Sequence, residues 1–162
     1  MDEIRFTVYG LPVPKARART VRRPNGQISS FTPPRTVRWE ENIAAQAMPY
    51  LPAEPLDCPL AIEAVFYLPR PQSRRKADML PDRKPDWDNL AKSLTDALEG
   101  LFWTNDSRVT DAVIRKRYGT PPRVEVVIRV ADSGCDTPCM AALKKSYRRT
   151  RGVRRDDNLP AK

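Results

Sequence analysis

Histidine is missing altogether from the 162 residues of this chain. Its absence removes Ser-His-Asp and Cys-His catalysis and every imidazole general base, so any catalysis must run on carboxylates, lysines, tyrosines or a metal. Cysteine is scarce and odd in number, with Cys58, Cys135 and Cys139 alone. That count does not suggest a disulfide scaffold, and reduced thiols fit a cytosolic protein. The CDTPC spacing offers two metal ligands, but Cys58 lies far upstream and no histidine can complete a zinc site. No apolar run approaches the roughly 20 residues of a membrane span, and the opening MDEIRFTVYG lacks the apolar region of a signal peptide. A cytoplasmic location with no membrane partner is therefore the expectation. Acidic residues are the minority, 20 against 29 Lys and Arg, for a net charge of +9. Such a field concentrates polyanions, nucleic acid foremost.

The length is one domain's worth of chain. Ile4, Phe6 and Val8 alternate with polar residues as in a half-buried strand ended by Gly10 and Pro12. From Lys15 to Arg38 there are seven basic residues and no acidic one, with a turn signal at Pro24-Asn25-Gly26. We read a basic hairpin or arm suited to phosphate contact, against the plainer reading of a solvated loop. Thr32 before Pro33 and Pro34 predicts a helix over Arg35 to Met48, with Val37, Ala44 and Met48 near one line and Trp39, Ile43 and Ala47 around the side. Leu60 to Leu68 is a second strand, followed by a loop rich in proline and basic residues. Two further strands are expected at Arg108–Tyr118 and Arg123–Val130, joined as a hairpin through Gly119-Thr120-Pro121-Pro122. Residues 1–130 form the expected domain, and 131–162 read as a basic, disordered tail. The fold class is α+β: a mixed sheet of about four strands plus the basic hairpin, with two helices on one face.

The pointed chemistry lies in KPDWDNLAKSLTDALEGLFWTNDSRV, Lys84 to Val109. Leu90, Leu94, Ala97, Leu98 and Leu101 make an apolar helix stripe, while Asn89, Lys92 and Asp96 fall on the other side. Asp86 and Asp88 are expected to leave a loop or strand end just before that helix begins, and in an extended segment residues two apart point the same way. Hard carboxylate oxygens bind Mg²⁺, and a lysine one turn in offsets charge on a reacting phosphate, so the arrangement suits metal-dependent phosphoryl transfer. Asp106, beyond the helix, would supply a third carboxylate if its strand returns to the pair. The alternative is structural: aspartates before a helix are often caps, worth about 1 kcal/mol and no chemistry. Trp87 and Trp103 flank the site; each would stack on a base if exposed, and each would otherwise be core.

The run KPDWDNLAK, with the later DAL and NDSRV, resembles the signature of the RusA family of Holliday junction resolvases, and GLPVPKARAR resembles that family's opening. The resemblance covers about Ile4 to Val130. It implies a homodimeric crossover junction endodeoxyribonuclease of bacterial or phage origin, cytoplasmic and nucleoid-associated, that cuts four-way DNA junctions in paired, symmetric incisions during recombination and repair. It implies Mg²⁺, or Mn²⁺, held by Asp86, Asp88 and Asp106, with Lys92 essential and Asn89 orienting Asp88 or a water. Two departures stand out: Trp87 lies where an aliphatic residue is common, and Asn105 replaces the first of an acidic pair. The expected DNA contacts are Lys15, Arg17, Arg19, Arg74, Arg75 and Lys76. Two competing readings remain, a non-catalytic basic DNA-binding module and a metal-dependent nuclease for other branched or single-stranded DNA.

Overall fold

Alternation builds the sheet. In β1 (Glu3–Tyr9), Ile4, Phe6 and Val8 are buried; β4 (Leu60–Leu68) and β6 (Arg123–Val130) repeat the pattern with Ile62, Ala64 and Phe66 and with Val124, Val126 and Ile128 inward. Side chains two apart share a face, so each strand gives one apolar row to a common core. The computed structural model describes residues 3–131 apart from 23, 76 and 78. The side chains of residues 19, 21 and 29 and the whole of the expected tail lie outside the described residues.

With β5 (Val109–Tyr118) these strands form a four-stranded mixed sheet in the order β1-β6-β4-β5. β6 is antiparallel to both β1 and β4, and β5 is parallel to β4. The expected hairpin of the last two strands does not form, because β4 lies between them. Burial explains the placement. Val124, Val126 and Ile128 need cover that a central position gives, whereas β5 has no fully buried residue and carries Asp111, Arg115, Lys116 and Arg117, the charge pattern of an edge. The connection instead crosses the end of β4, where the Gly119 amide donates to the Leu68 carbonyl at 3.0 Å. A Cβ on Gly119 would stand 2.6 Å from the Tyr67 ring, so the crossing needs glycine.

Both helices cover one sheet face, as expected. α1 (Pro34–Ala47) follows Pro33, which takes the N-cap position in place of the expected Thr32 and offers no side-chain cap. It buries Thr36, Trp39, Ile43 and Ala47, while Met48 is exposed. Of the two stripes in the sequence, the one with the large indole wins, since aromatic area dominates burial. α2 (Trp87–Leu98) buries Leu90, Leu94 and Leu98 in the predicted register. Each fully buried leucine contributes about 1.5–3 kcal/mol. Phe102 and Trp103 close the end of this core, with Phe102 stacked on Phe6 at 5.3 Å. Cys58 is buried there and disulfide-bonded, contrary to the expected reduced thiols.

The basic hairpin is present as β2 (Arg19–Arg22) and β3 (Ile28–Phe31), a separate two-stranded ribbon. The second face of the main sheet is open and carries interlocked ion pairs, Arg129 with Glu3 and Glu63 and Arg115 with Glu63. Arg5 also pairs with Glu3, and its hydrogen bond, with that of Arg129, holds the Glu3 carboxyl below its ordinary range. Among the described residues no helix is long and apolar enough to cross a membrane.

Candidate active site

The approach to α2 fixes the first carboxylate. Asp86 takes the N-cap position in extended conformation, yet its side chain accepts no hydrogen bond from the helix amides. The capping role open to it in the sequence is therefore not the one its carboxylate performs. Asp88 lies in the first turn, where the helix dipole favours its charge, and the Asn89 side-chain amide approaches it at 3.5 Å. Asp86, Trp87 and Asp88 line one cleft of about 500 Å³ with Asp82, Arg83, Lys84 and Lys116. The cleft is open to water, and both aspartates are exposed.

Lys116 is a member of this cluster that sequence reasoning missed. Its ammonium donates to the carbonyls of Arg83 at 3.0 Å and Pro85 at 2.9 Å, which ties the segment before Asp86 to the edge strand. The signal was available: Lys116 shares its strand face with Ala112 and Ile114, and a lysine on that face needs acceptors for its charge.

Asp106 is held elsewhere. Its Oδ1 accepts from the Trp103 indole N–H at 2.9 Å, and its backbone N–H donates to Glu99 Oε1 at 3.1 Å. The Asn105 side-chain amide donates to the same Glu99 oxygen at 3.0 Å, and its Oδ1 accepts from the Ser107 amide. Glu99 is the C-cap of α2 and Asp86 its N-cap. Thirteen residues of helix rise separate them by about 20 Å. A second ruler agrees, since the seven residues from Val109 to Lys116 on β5 span about 23 Å. The return expected of Asp106 does not occur within one chain, because β5 runs parallel to β4 and so starts at the far end of α2. Accordingly, among the described residues no three acidic, cysteine or histidine side chains converge to hold a metal.

The remaining expected contacts divide. Lys15 does not point freely to solvent. Its backbone N–H donates to the Asn89 carbonyl at 2.7 Å, and its ammonium lies 2.7 Å from both Glu40 on α1 and Asp96 on α2. Partial burial works against that ammonium's charge, but the hydrogen bonds it donates to Asp96 and Glu40 outweigh it and raise the pKa above the ordinary lysine value. Lys92 is mostly exposed and reaches Asp96 at 3.3 Å, the i,i+4 pair its spacing predicts. Arg17 and Arg75 are exposed, and Arg74 pairs with Asp82. Lys76 and the Arg19 side chain lie outside the described residues. Trp103 is fully buried and Trp87 is 59% exposed, so the two tryptophans part ways: the first is core, the second is surface.

Comparison with known proteins assigns the family. The family model described as endodeoxyribonuclease RusA matches residues 10–129. An uncharacterized protein of Bacillus subtilis (strain 168), YqaN, is 36% identical over 139 residues, 80% of this chain and 97% of that protein. The crossover junction endodeoxyribonuclease RusA of Aquifex aeolicus (strain VF5) is 31% identical over 99 residues, 61% of this chain and 68% of that protein. With the family model spanning most of the chain, from the turn after β1 to the end of β6, the protein belongs to the RusA endodeoxyribonuclease family.

Proposed function

We propose that the protein is a divalent-metal-dependent endodeoxyribonuclease that resolves four-way DNA junctions as a homodimer, by paired symmetric incisions. The observation that carries the reading is the Asp86–Asp88 pair, released from capping and opening onto one cleft with Lys116. Two carboxylates with room for waters and a phosphate oxygen suit Mg²⁺, which is bound through few protein ligands. When bound, Mg²⁺ or Mn²⁺ supplies Lewis acidity to the phosphate and lowers the pKa of water.

The chain's own groups do the rest. Asp86 and Asp88 hold the ion, Asn89 orients Asp88, and Lys92 offsets charge that develops on the phosphate oxygens. Arg17, Arg19, Arg75 and the hairpin neutralise flanking phosphates. The third aspartate comes from a second copy. β5 is a ten-residue edge strand with Ala112 and Val113 exposed. Antiparallel pairing of two such edges about a two-fold axis near Ala112 brings the Val109 end of one strand beside the Lys116 end of the other. Asp106 of each copy then approaches Asp86 and Asp88 of its neighbour. An isologous dimer built this way has two complete sites, as two opposed incisions require.

A second reading draws on the separation of Asp106 from the pair within one chain: a basic DNA-binding module without catalysis. One assay separates them. A synthetic four-way junction incubated with and without Mg²⁺ should be cut at opposed positions by the parent protein, and Asp88→Asn should bind the junction and cut nothing. Cleavage by Asp88→Asn at the parent rate removes the metal assignment. Binding without products under any divalent ion supports the module.

A further inference from the structure

We infer that Trp87 is a nucleotide-stacking residue, whose indole takes the face of a base left unpaired at the branch, beside the phosphate that Asp86 and Asp88 serve. This rests on the proposed reading of those aspartates as the metal site. Tryptophan is among the residues most buried on average. The protein follows that rule at Trp39, 4% exposed, and Trp103, fully buried, and breaks it at Trp87, 59% exposed. The core does not require the residue. Trp87 is the first residue of α2, and the buried stripe of that helix begins at Leu90. Nor is it stacked within the chain: among the described residues, no aromatic ring and no guanidinium lies over its indole. A large apolar surface is thus left in water between the two carboxylates of the site.

The surroundings select the occupant. Arg83, Lys84 and Lys116 line the same cleft beside Asp82, Asp86 and Asp88, and the chain as a whole carries +9. An aromatic platform beside cationic groups is the chemistry of nucleic acid with exposed bases, the charges following the backbone and the ring taking a base. An intact duplex presents no free base face at a phosphate undergoing cleavage. A branch does, so a stacking residue at this position adds affinity for branched DNA and none for duplex. Stacking of one base corresponds to about a 5- to 150-fold change in binding. A second copy of the chain covering Trp87 is the competing occupant, and it predicts a change in assembly instead.

The test uses full-length Asp88→Asn protein, expected on the proposed function to bind without cutting, alone and combined with Trp87→Leu or Trp87→Phe. Tryptophan emission should be quenched by a four-way junction and not by a duplex of the same arms, and Trp87→Leu should remove that quench. Trp87→Leu should weaken junction binding about 5- to 150-fold, leave duplex binding and sedimentation unchanged, and be largely rescued by Trp87→Phe. Three results overturn the inference: parental junction affinity in Trp87→Leu, equal loss of junction and duplex affinity, or a fall from dimer to monomer. Failure of the metal reading is separately visible, because it requires Asp88→Asn itself to cut.

Discussion

Replacing Lys15 by methionine tests whether this basic residue belongs to the DNA surface or to the fold. Its side chain is 23% exposed and lies between Glu40 and Asp96, themselves 20% and 22% exposed. Methionine keeps the aliphatic stem and deletes both ion pairs. Hydrogen bonds to charged groups are worth about 1.5–3 kcal/mol each, offset by the desolvation of the ammonium. Asp96 also retains Lys92, so we expect a net loss of about 2 kcal/mol, or about 6–8 °C in Tm for a domain of this size. The sign of the pH dependence is fixed. A lysine whose folded pKa is raised stabilises fully below its unfolded value of 10.5, and the contribution is lost as pH rises through the folded pKa. The gap between parent and Lys15→Met should therefore be constant near neutrality and close only in strong alkali. Differential scanning calorimetry measures it, and a salt titration of junction binding completes the test. A phosphate contact contributes about 0.9 to the slope of log affinity against log salt. Lys15→Met should leave that slope alone, and Arg17→Ala should lower it by about that amount. An unchanged Tm with a reduced slope would refute the reasoning.

Four further outcomes are expected. Lys92→Ala should lower kcat far more than junction affinity, and equal losses would make it a plain phosphate contact. Lys116→Met removes two bonds to the segment before Asp86, so kcat should fall with affinity kept and Tm should drop by a few degrees; an unaltered kcat removes its positioning role. Trp103→Phe keeps the buried ring but frees Asp106 Oδ1, and Mn²⁺ binding followed by electron paramagnetic resonance should weaken by about 10- to 100-fold; unchanged binding removes the indole's part in orienting a ligand. Ala112→Lys sets like charges directly opposite each other on the proposed two-fold axis, so sedimentation should show monomer and cutting should stop; an active dimer places the interface elsewhere.

Elements with an unbroken period were legible in the sequence. β4 and β6 alternate without interruption, and the leucine stripe of α2 lies where its spacing indicates. Strand order was not, because a tight Gly-Thr-Pro-Pro connection looks like a hairpin whether or not another strand intervenes, and only the cover each strand needs decides it. Stripe choice in α1 failed for a related reason: Trp39 outweighs Met48, and periodicity counts residues without weighing their area. At the site, Asp86 and Asp88 line one cleft, but not as two residues of an extended segment: Asp86 is the extended N-cap and Asp88 already stands in the first turn of α2. Asn105 looked like one lost negative charge, whereas the structure returns that charge through Glu99, which accepts from both Asn105 and the Asp106 amide. An aspartate at position 105 would set two carboxylates against each other, which no one-dimensional motif reveals.

The parallel crossover accounts for both the order of the elements and the incompleteness of the site. A β4-α2-β5 unit must return β5 to the end of the sheet where β4 began, so the helix that carries Asp86 and Asp88 at its start necessarily delivers Asp106 near its finish. No loop adjustment closes a gap of about 20 Å set by helix rise. Under the proposed reading the fold therefore makes metal binding conditional on a second copy, and a monomer in solution carries two exposed carboxylates and no complete centre. That condition has a functional consequence: incision waits on assembly, and a dimer has both centres ready at once. Paired cuts then follow from the topology of one sheet, with no separate device needed to coordinate the two strands.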